Sequence, residues 1–383
     1  MANIFDYLLW RGDLSLNASP FNAVDNLIVT HLSYLPFEGI VPGIGAGGRE
    51  TVTVADAAKA FGKKYKNNPS RYNGILNSKE DPAFLEACGA SARYKDMRLT
   101  AYINSIDPDK EKQFAALTVL TGDKSAFAAF RGTDNSIVGW KEDFNMSFSP
   151  EVPSQAEAVR YLEKIARRYG KPLRVGGHSK GGNLAIYAAA FCSPKIRKRI
   201  TAIYANDAPG LSRKMIASEG YQAIREKIFS FVPETSIIGL LFEHEKNYTV
   251  VKSVQTGLLQ HDVYSWQVTR EDVERLEKIN KESRFIEKTL KEWLSGIDNK
   301  QRQDFTEALF KILGSLQVSL VPELGDDWLK TGISLIQSLG SIDDKSRTML
   351  FKTLGALLHA AKNNINFLLK PAPKKTAPGP LSI

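Results

Sequence analysis

One serine in this chain sits where a hydroxyl can become a nucleophile. In Leu173-Arg174-Val175-Gly176-Gly177-His178-Ser179-Lys180-Gly181-Gly182-Asn183-Leu184, an apolar run leads into Gly177-His178-Ser179-Lys180-Gly181. An Ala-rich helical pattern leaves through Ala188, Ala189 and Ala190. The order G-x-S-x-G between a strand and a helix is a nucleophile elbow, a sharp turn that exposes the serine hydroxyl. Gly177 and Gly181 flank Ser179 where a Cβ would collide with the neighbouring strand or helix. The following helix aims its N-terminus at the site, which favours an oxyanion. The alternative is an ordinary Gly-rich turn in a parallel sheet, and the surrounding pattern decides between the two.

A serine hydroxyl attacks only when a base takes its proton and a third group orients that base. After an elbow of this kind the partners follow in the order serine, acid, histidine. Three histidines follow Ser179: His244, His261 and His359. His359 lies beside Leu358 in a helical pattern and reads as a core position, and His244 sits in the acidic run Glu243-His244-Glu245. His261 falls in Leu259-Gln260-His261-Asp262, a turn after the last strand-like run, and is the preferred base. Two acids end strands between serine and histidine. Asp207 enters the turn Ala208-Pro209-Gly210, and Glu234 follows Phe231-Val232-Pro233. Both stand at carboxyl ends of strands, the face where open α/β sheets build their sites. Asp207 is preferred because its shorter side chain loses less rotamer freedom, with Glu234 kept as the alternative. For the oxyanion, the N–H of Lys180 follows the nucleophile, and Thr133 at an earlier strand end can offer its N–H and its hydroxyl. His178 is expected to pack or hydrogen-bond locally, pointing away from Ser179.

The elements that must hold these residues are legible as an alternation. Residues 1–66 read as helices and loops. Phe21 to Leu35 carries Val24, Leu27, Ile28, His31 and Leu32 on one face, with Asn22, Asp25 and Asn26 off it. His31 is therefore a packed core histidine. Helices follow over 54–65, capped by Thr53, and over 82–94, capped near Asp81. Strand patterns run over 99–106, 113–120 and 126–130, separated by the turn residues Asp107-Pro108-Asp109 and Thr121-Gly122-Asp123. A helix over 155–169, the elbow strand and its helix, and strands over 200–205, 227–232 and 248–254 complete a mostly parallel sheet with antiparallel strands at the front. Residues 263–268 also look strand-like. After Trp266 the pattern is helical to about residue 369. There Ile297-Asp298-Asn299-Lys300-Gln301-Arg302 recurs as Ile342-Asp343-Asp344-Lys345-Ser346-Arg347, each Asp a candidate helix cap. The expected division is 1–270 for the sheet domain, 271–369 for a small helical bundle and 370–383 for a disordered tail.

Several of these motifs together resemble a family. Phe130-Arg131-Gly132-Thr133, then Trp140 and Asp143, then Gly177-His178-Ser179-Lys180-Gly181-Gly182 are similar to the class 3 lipase pattern F-R-G-[ST], W…D and G-H-S-x-G-G. A closer likeness is to a bacterial lipase-like α/β-hydrolase family of unknown function. It rests on Trp10-Arg11-Gly12-Asp13-Leu14, Gln113-Phe114-Ala115-Ala116, Gly139-Trp140-Lys141-Glu142-Asp143-Phe144, Asn206-Asp207-Ala208-Pro209-Gly210 and Gln260-His261-Asp262. The resemblance spans roughly residues 4 to 270, and several motifs in order make it specific. It implies an α/β-hydrolase fold with Ser179 as nucleophile, His261 as base and Thr133 in the oxyanion hole. Two departures stand out. Lys180 replaces the Leu usual in class 3 lipases, and no acid occupies their D-x-V-P context.

Composition narrows the setting. Hydrophobic residues at 43% and charged residues at 24% are ordinary for a globular chain, and Cys88 and Cys192 make neither a disulfide framework nor a metal spacing. Neither a cofactor nor a metal is expected. Met1 to Leu16 has no basic lead and carries Asp6, Arg11 and Asp13, unlike a secretory signal. No apolar run reaches the ~20 residues of a membrane span, so a cytoplasmic protein is the expectation. The net charge of +9 is uneven, with eleven Lys/Arg against three acids from Lys171 to Lys227. That run is either a solvated helix end or a weak contact for an anionic membrane. Nucleic acid is not expected. The chemistry points to a serine hydrolase acting on a small-molecule or lipid ester or thioester. The second reading is a hydrolase-fold binding or scaffold protein working through its helical region.

Overall fold

A computed structural model describes residues 2–45, 50–65, 79–134, 136–241, 247–315 and 344–365. Among them, nine strands form one sheet in chain order. They are β1 (Val52–Thr53), β2 (Arg98–Asp107), β3 (Lys112–Leu120), β4 (Ala126–Phe130), β5 (Leu173–His178), β6 (Ile200–Asn206), β7 (Ile228–Pro233), β8 (Tyr248–Val251) and β9 (Arg275–Leu276). β1 to β4 pair antiparallel, β4 to β8 parallel, and β9 returns antiparallel along β8. Helices α1 (Ile4–Arg11), α2 (Ala23–His31), α3 (Val54–Tyr65) and α4 (Asp81–Ala90) come first. α5 (Ile137–Asn145), α6 (Pro153–Tyr169), α7 (Lys180–Phe191), α8 (Pro194–Arg197), α9 (Arg213–Ile216) and α10 (Glu219–Gln222) lie between strands. α11 (Lys281–Ser295), α12 (Asn299–Ser315) and α13 (Asp344–Asn364) follow the sheet. This is an α/β-hydrolase-like fold with C-terminal helices, as the alternation predicts.

Strand order decides which helices share a face. Right-handed crossovers that step in one direction all land on the same side of a sheet. α6 and α7 therefore pack together with Ala128, Phe130, Leu162, Val175, Leu184 and Ile203 in one core. The opposite face is left to the N-terminal helices, whose Ile4, Leu27 and Phe84 join Phe127, Ala129 and Trp266 in a second core. The split runs through β4 residue by residue, Phe127 and Ala129 to one side and Ala126, Ala128 and Phe130 to the other, with the period of two that a pleated strand imposes.

Three local expectations give way to tertiary pairing. Asp25 and Asn26 do not face water; both are fully buried in α2. Asp25 accepts from Arg93 at Nε (2.7 Å) and Nη2 (2.5 Å), and from Tyr94 and Tyr7 hydroxyls. Arg93 spends its other N–H groups on the carbonyls of Leu14, Ser19 and Pro20, which pins the chain between α1 and α2. Asp81 does not cap α4. It begins that helix and accepts from His31 Nε2 at 2.9 Å and from Tyr264 Oη at 2.8 Å. Residues 263–268 form no strand: the Asp262 carboxylate accepts the Tyr264 N–H at 3.0 Å and turns the chain into a short 3₁₀ segment, Val263–Ser265.

The last sheet strand, β9, lies past residue 270, so helix resumes only at Lys281. α12 starts at a reciprocal cap in which Asp298 Oδ1 accepts from Gln301 N and Gln301 Oε1 accepts from Asp298 N. Asp343 and the tail over 370–383 lie outside the described residues. The C-terminal helices meet in a small core of Phe305, Ala308 and Leu350 that also takes in Trp293 and Phe144 of α5.

The Asp25–Arg93 pair should be costly to break, because removing one partner leaves a buried charge uncompensated. Arg93→Met is expected to lose about 3 to 5 kcal/mol in urea unfolding at neutral pH. A loss within about 0.5 kcal/mol, as at ordinary surface positions, would contradict this reading of the pair.

Candidate active site

Ser179 joins β5 to α7 with φ 57° and ψ −135°, a backbone region that side chains rarely occupy. Close packing holds it there. A Cβ on Gly181 would lie 2.1 Å from the Phe130 carbonyl oxygen, and one on Gly177 would lie 2.1 Å from the Gly181 carbonyl. Only bare backbone fits between β4 and the elbow. The Ser179 N–H donates to the Asn206 carbonyl at 2.9 Å, tying the turn to the end of β6. The Asn206 side chain is in turn paired with Asn26 of α2 at 2.8 and 3.2 Å.

The residue after Asn206 is Asp207, itself at φ 42° and 1% exposed. Its Oδ2 meets His261 Nδ1 at 2.6 Å, while Oδ1 accepts from Ser236 Oγ and from Gly239 N at 3.0 Å. An Nδ1–H donated to a carboxylate leaves His261 Nε2 with a free lone pair, the tautomer a general base needs. No hydrogen bond joins Ser179 Oγ to His261 among the described residues; such contacts commonly tighten when substrate binds. Glu234 takes no part in the His261 pair. Its carbonyl instead accepts from Asn280 N and Ser283 Oγ, both at 2.9 Å, and so anchors the start of α11. His359 is exposed on α13 rather than packed in a core, because α13 turns that face outward. His244 lies outside the described residues.

His178 reaches much further than its neighbours in sequence. Its Nδ1 meets Tyr34 Oη at 2.9 Å and its Nε2 meets the His261 carbonyl at 2.8 Å. Burial, followed by the nearness of His261 and His31, holds its imidazole well below the usual value of 6.5. A neutral ring donating from Nε2 fits both contacts. Tyr34 Oη also accepts from Gly132 N at 3.2 Å, so one phenol links the segments on either side of the elbow.

The two candidate oxyanion donors are placed differently. Lys180 is the first residue of α7, where its N–H has no intrahelical acceptor. Thr133 follows β4, but its hydroxyl donates to Asp143, leaving the backbone N–H as what it can offer. The Lys180 side chain is 1% exposed and turns inward, donating to the Gln113 carbonyl and to Glu142 Oε2, both at 3.0 Å. Asp143 is half-buried next to this pair and its carboxyl is pushed up to about 6, mainly by loss of solvation, against the pull of Lys180 and the Thr133 hydrogen bond.

The model of the Mbeg1-like family matches residues 88–311, more than half of the chain. The chain belongs to the Mbeg1-like family. No curated protein matches it. Among solved structures, M37 lipase is similar at 14% identity over 56% of this chain and 68% of that one, with a TM-score of 0.32. The Rhizomucor miehei lipase propeptide complex (deletion mutant) has 15% identity over 55% and 79%, TM-score 0.33. Rhizopus microsporus var. chinensis lipase has 16% identity over 64% and 88%, TM-score 0.33. Likeness at that level carries no argument about chemistry. The family shown is Mbeg1-like, and not class 3 lipases in particular.

In this Mbeg1-like chain the basic run over 171–227 is not one surface. Arg174 pairs with Asp123 at 2.8 Å and lies over the Phe21 ring. Arg197 donates to the Ala190 and Cys192 carbonyls, Arg199 to Ala166 and Lys171, and Lys227 to Ile200. These cations close helix and strand ends, while Lys195, Lys198 and Lys214 remain exposed. Tyr34 and Asn26 carry no sequence signal as site neighbours, since each acts through a contact far along the chain. Only the G-H-S adjacency pointed at His178.

The depressed imidazole of His178 has a pH consequence. Below about 6.5 the unfolded chain takes up a proton there that the folded chain refuses, so stability falls as pH drops through that value; above it the group contributes nothing. Between about pH 7 and pH 5, wild type should lose stability that His178→Gln does not, at up to about 1.4 kcal/mol per pH unit. Urea midpoints at both pH values measure it, and equal losses in the two proteins would refute it.

Proposed function

We propose that this protein is a serine hydrolase that cleaves an ester or thioester through an acyl-enzyme on Ser179. The observation that carries the reading is the buried Asp207 carboxylate 2.6 Å from His261 Nδ1, in the chain order serine, acid, histidine. Ser179 Oγ attacks the carbonyl carbon while His261 Nε2 takes its proton. Asp207 stabilises the imidazolium that results. The tetrahedral oxyanion is received by the N–H groups of Lys180 and Thr133. His261 then gives its proton to the departing alcohol or thiol, and a water repeats the sequence to release the acid. Apolar side chains near the His261 turn, Val254 at 53% and Leu259 at 65% exposed, support an acyl chain as the substrate's carbonyl side.

A fluorophosphonate probe should label the wild type covalently and leave Ser179→Ala unlabelled; a folded wild type that stays unlabelled would end the proposal. Asp207→Asn should slow labelling on the order of 10⁴-fold by disturbing the tautomer of His261, whereas Glu234→Gln should label at the wild-type rate. The opposite ranking would transfer the acid's role to Glu234.

A second reading, a binding protein acting through its C-terminal helices, draws on Phe351 and Leu358, 55% and 71% exposed on α13. It expects paired Asp substitutions there to abolish partner capture while leaving Ser179 labelling intact.

A further inference from the structure

We infer that the buried Lys180–Glu142 ion pair is a positioning device that sets the two oxyanion donors relative to each other, an inference resting on the proposed hydrolase reading. The two donors come from separate segments. One is the N–H at the start of α7, and the other belongs to Thr133, after β4. The backbone contact at Gly181 brings the two segments together, and side chains are left to hold Thr133 within that contact. The side chains of Lys180 and Glu142 bridge that gap from beneath.

Glu142 is 0% exposed and all its acceptor capacity is directed at neighbouring elements. Oε2 receives the Gln113 N–H at 2.9 Å and Lys180 Nζ at 3.0 Å; Oε1 receives the Ser154 N–H at 2.8 Å. One carboxylate thus joins β3, α5, the start of α6 and the start of α7. The next residue, Asp143, receives the Thr133 hydroxyl at Oδ2. Its Oδ1 is buried with no hydrogen-bond partner and faces Lys180 Nζ at 3.9 Å. The ammonium of the residue that supplies one donor therefore attracts the carboxylate that holds the residue supplying the other. A hydrophobic side chain at position 180 would pack α7 but could not make this connection. A buried ion pair is weak evidence of added stability, since apolar replacements often stabilise as well, and its better-attested use is to specify one arrangement.

The groups facing Asp143 are Lys180 from α7, Glu142 from its own helix, Asp134 (itself paired with Arg131 at 3.2 Å) from the segment after β4, and Tyr34 from the 3₁₀ turn Leu32–Tyr34. Lys180 is the cation that favours the ionised form there. Without it, Asp143 holds its proton to higher pH, and Thr133 loses the anionic acceptor that orients it.

The test uses the full chain with a fluorophosphonate probe and p-nitrophenyl butyrate. Lys180→Met should lower the labelling rate and kcat on the order of 10²-fold, the scale of one lost oxyanion donor, with KM unchanged. Its acid limb of activity should move to higher pH. The double variant Lys180→Met/Glu142→Gln removes both charges of the pair and serves if the single variant fails to fold; it should show the same loss in kcat. A folded double variant that labels at the wild-type rate, or one whose KM rises while kcat holds, would overturn the inference and leave the hydrolase reading standing. A wild type that is not labelled would overturn both.

Discussion

The close approach of the Ser179 turn to the end of β4 is the constraint from which the site's arrangement follows. With the Phe130 carbonyl where a side chain at position 181 would begin, α7 must start against β4. That contact brings the N-terminus of α7 beside the segment Arg131–Thr133. The hydrogen bond from Ser179 N to Asn206 O places the end of β6 on the other side, and Asp207 is the next residue. Ser179, Asp207 and the N–H groups of Lys180 and Thr133 thus lie at the carboxyl ends of three adjacent strands, where an open parallel sheet leaves room for a ligand. The histidine arrives from the turn beyond β8, drawn in by the carboxylate of Asp207 and by the contact of its carbonyl with His178.

Two imidazoles with centroids 4.3 Å apart illustrate how environment separates identical side chains. His261 has a carboxylate partner, so a positive charge on it is compensated. Among the described residues His178 has a phenol and a carbonyl as partners and no anion, so burial keeps it neutral. Like charges at that distance would oppose each other, and the structure gives only one of the two rings a counter-ion. The neutral ring becomes part of the scaffold that carries the other.

How far the sequence reveals this depends on the range of each interaction. Strands β2 to β7 follow from local alternation and turn residues, and their observed ends differ by a residue or so at most positions. Ser179, Asp207 and His261 were each singled out by position at a strand end or in a turn, which is a local property. Asp25 and Asp81 misled because a polar residue near a helix start reads as a cap or a solvated position, whereas here partners 50 and more residues away claim it. Lys180 stands out for replacing an apolar residue, but Glu142, the acid that receives it, lies in α5, 38 residues earlier. Such pairings leave no periodicity for a sequence to display.

The face of the sheet covered by α1 to α4 carries a further implication. Val268 N donates to the Ala2 carbonyl at 2.9 Å, and Arg11 reaches the Arg270 carbonyl and the Glu271 carboxylate. The earliest helix is thereby stitched to a segment that leaves the ribosome some 260 residues later. During synthesis the apolar sides of these first helices have no complete sheet to rest on until β4 to β6 exist, and no closing seam until the His261 turn is made.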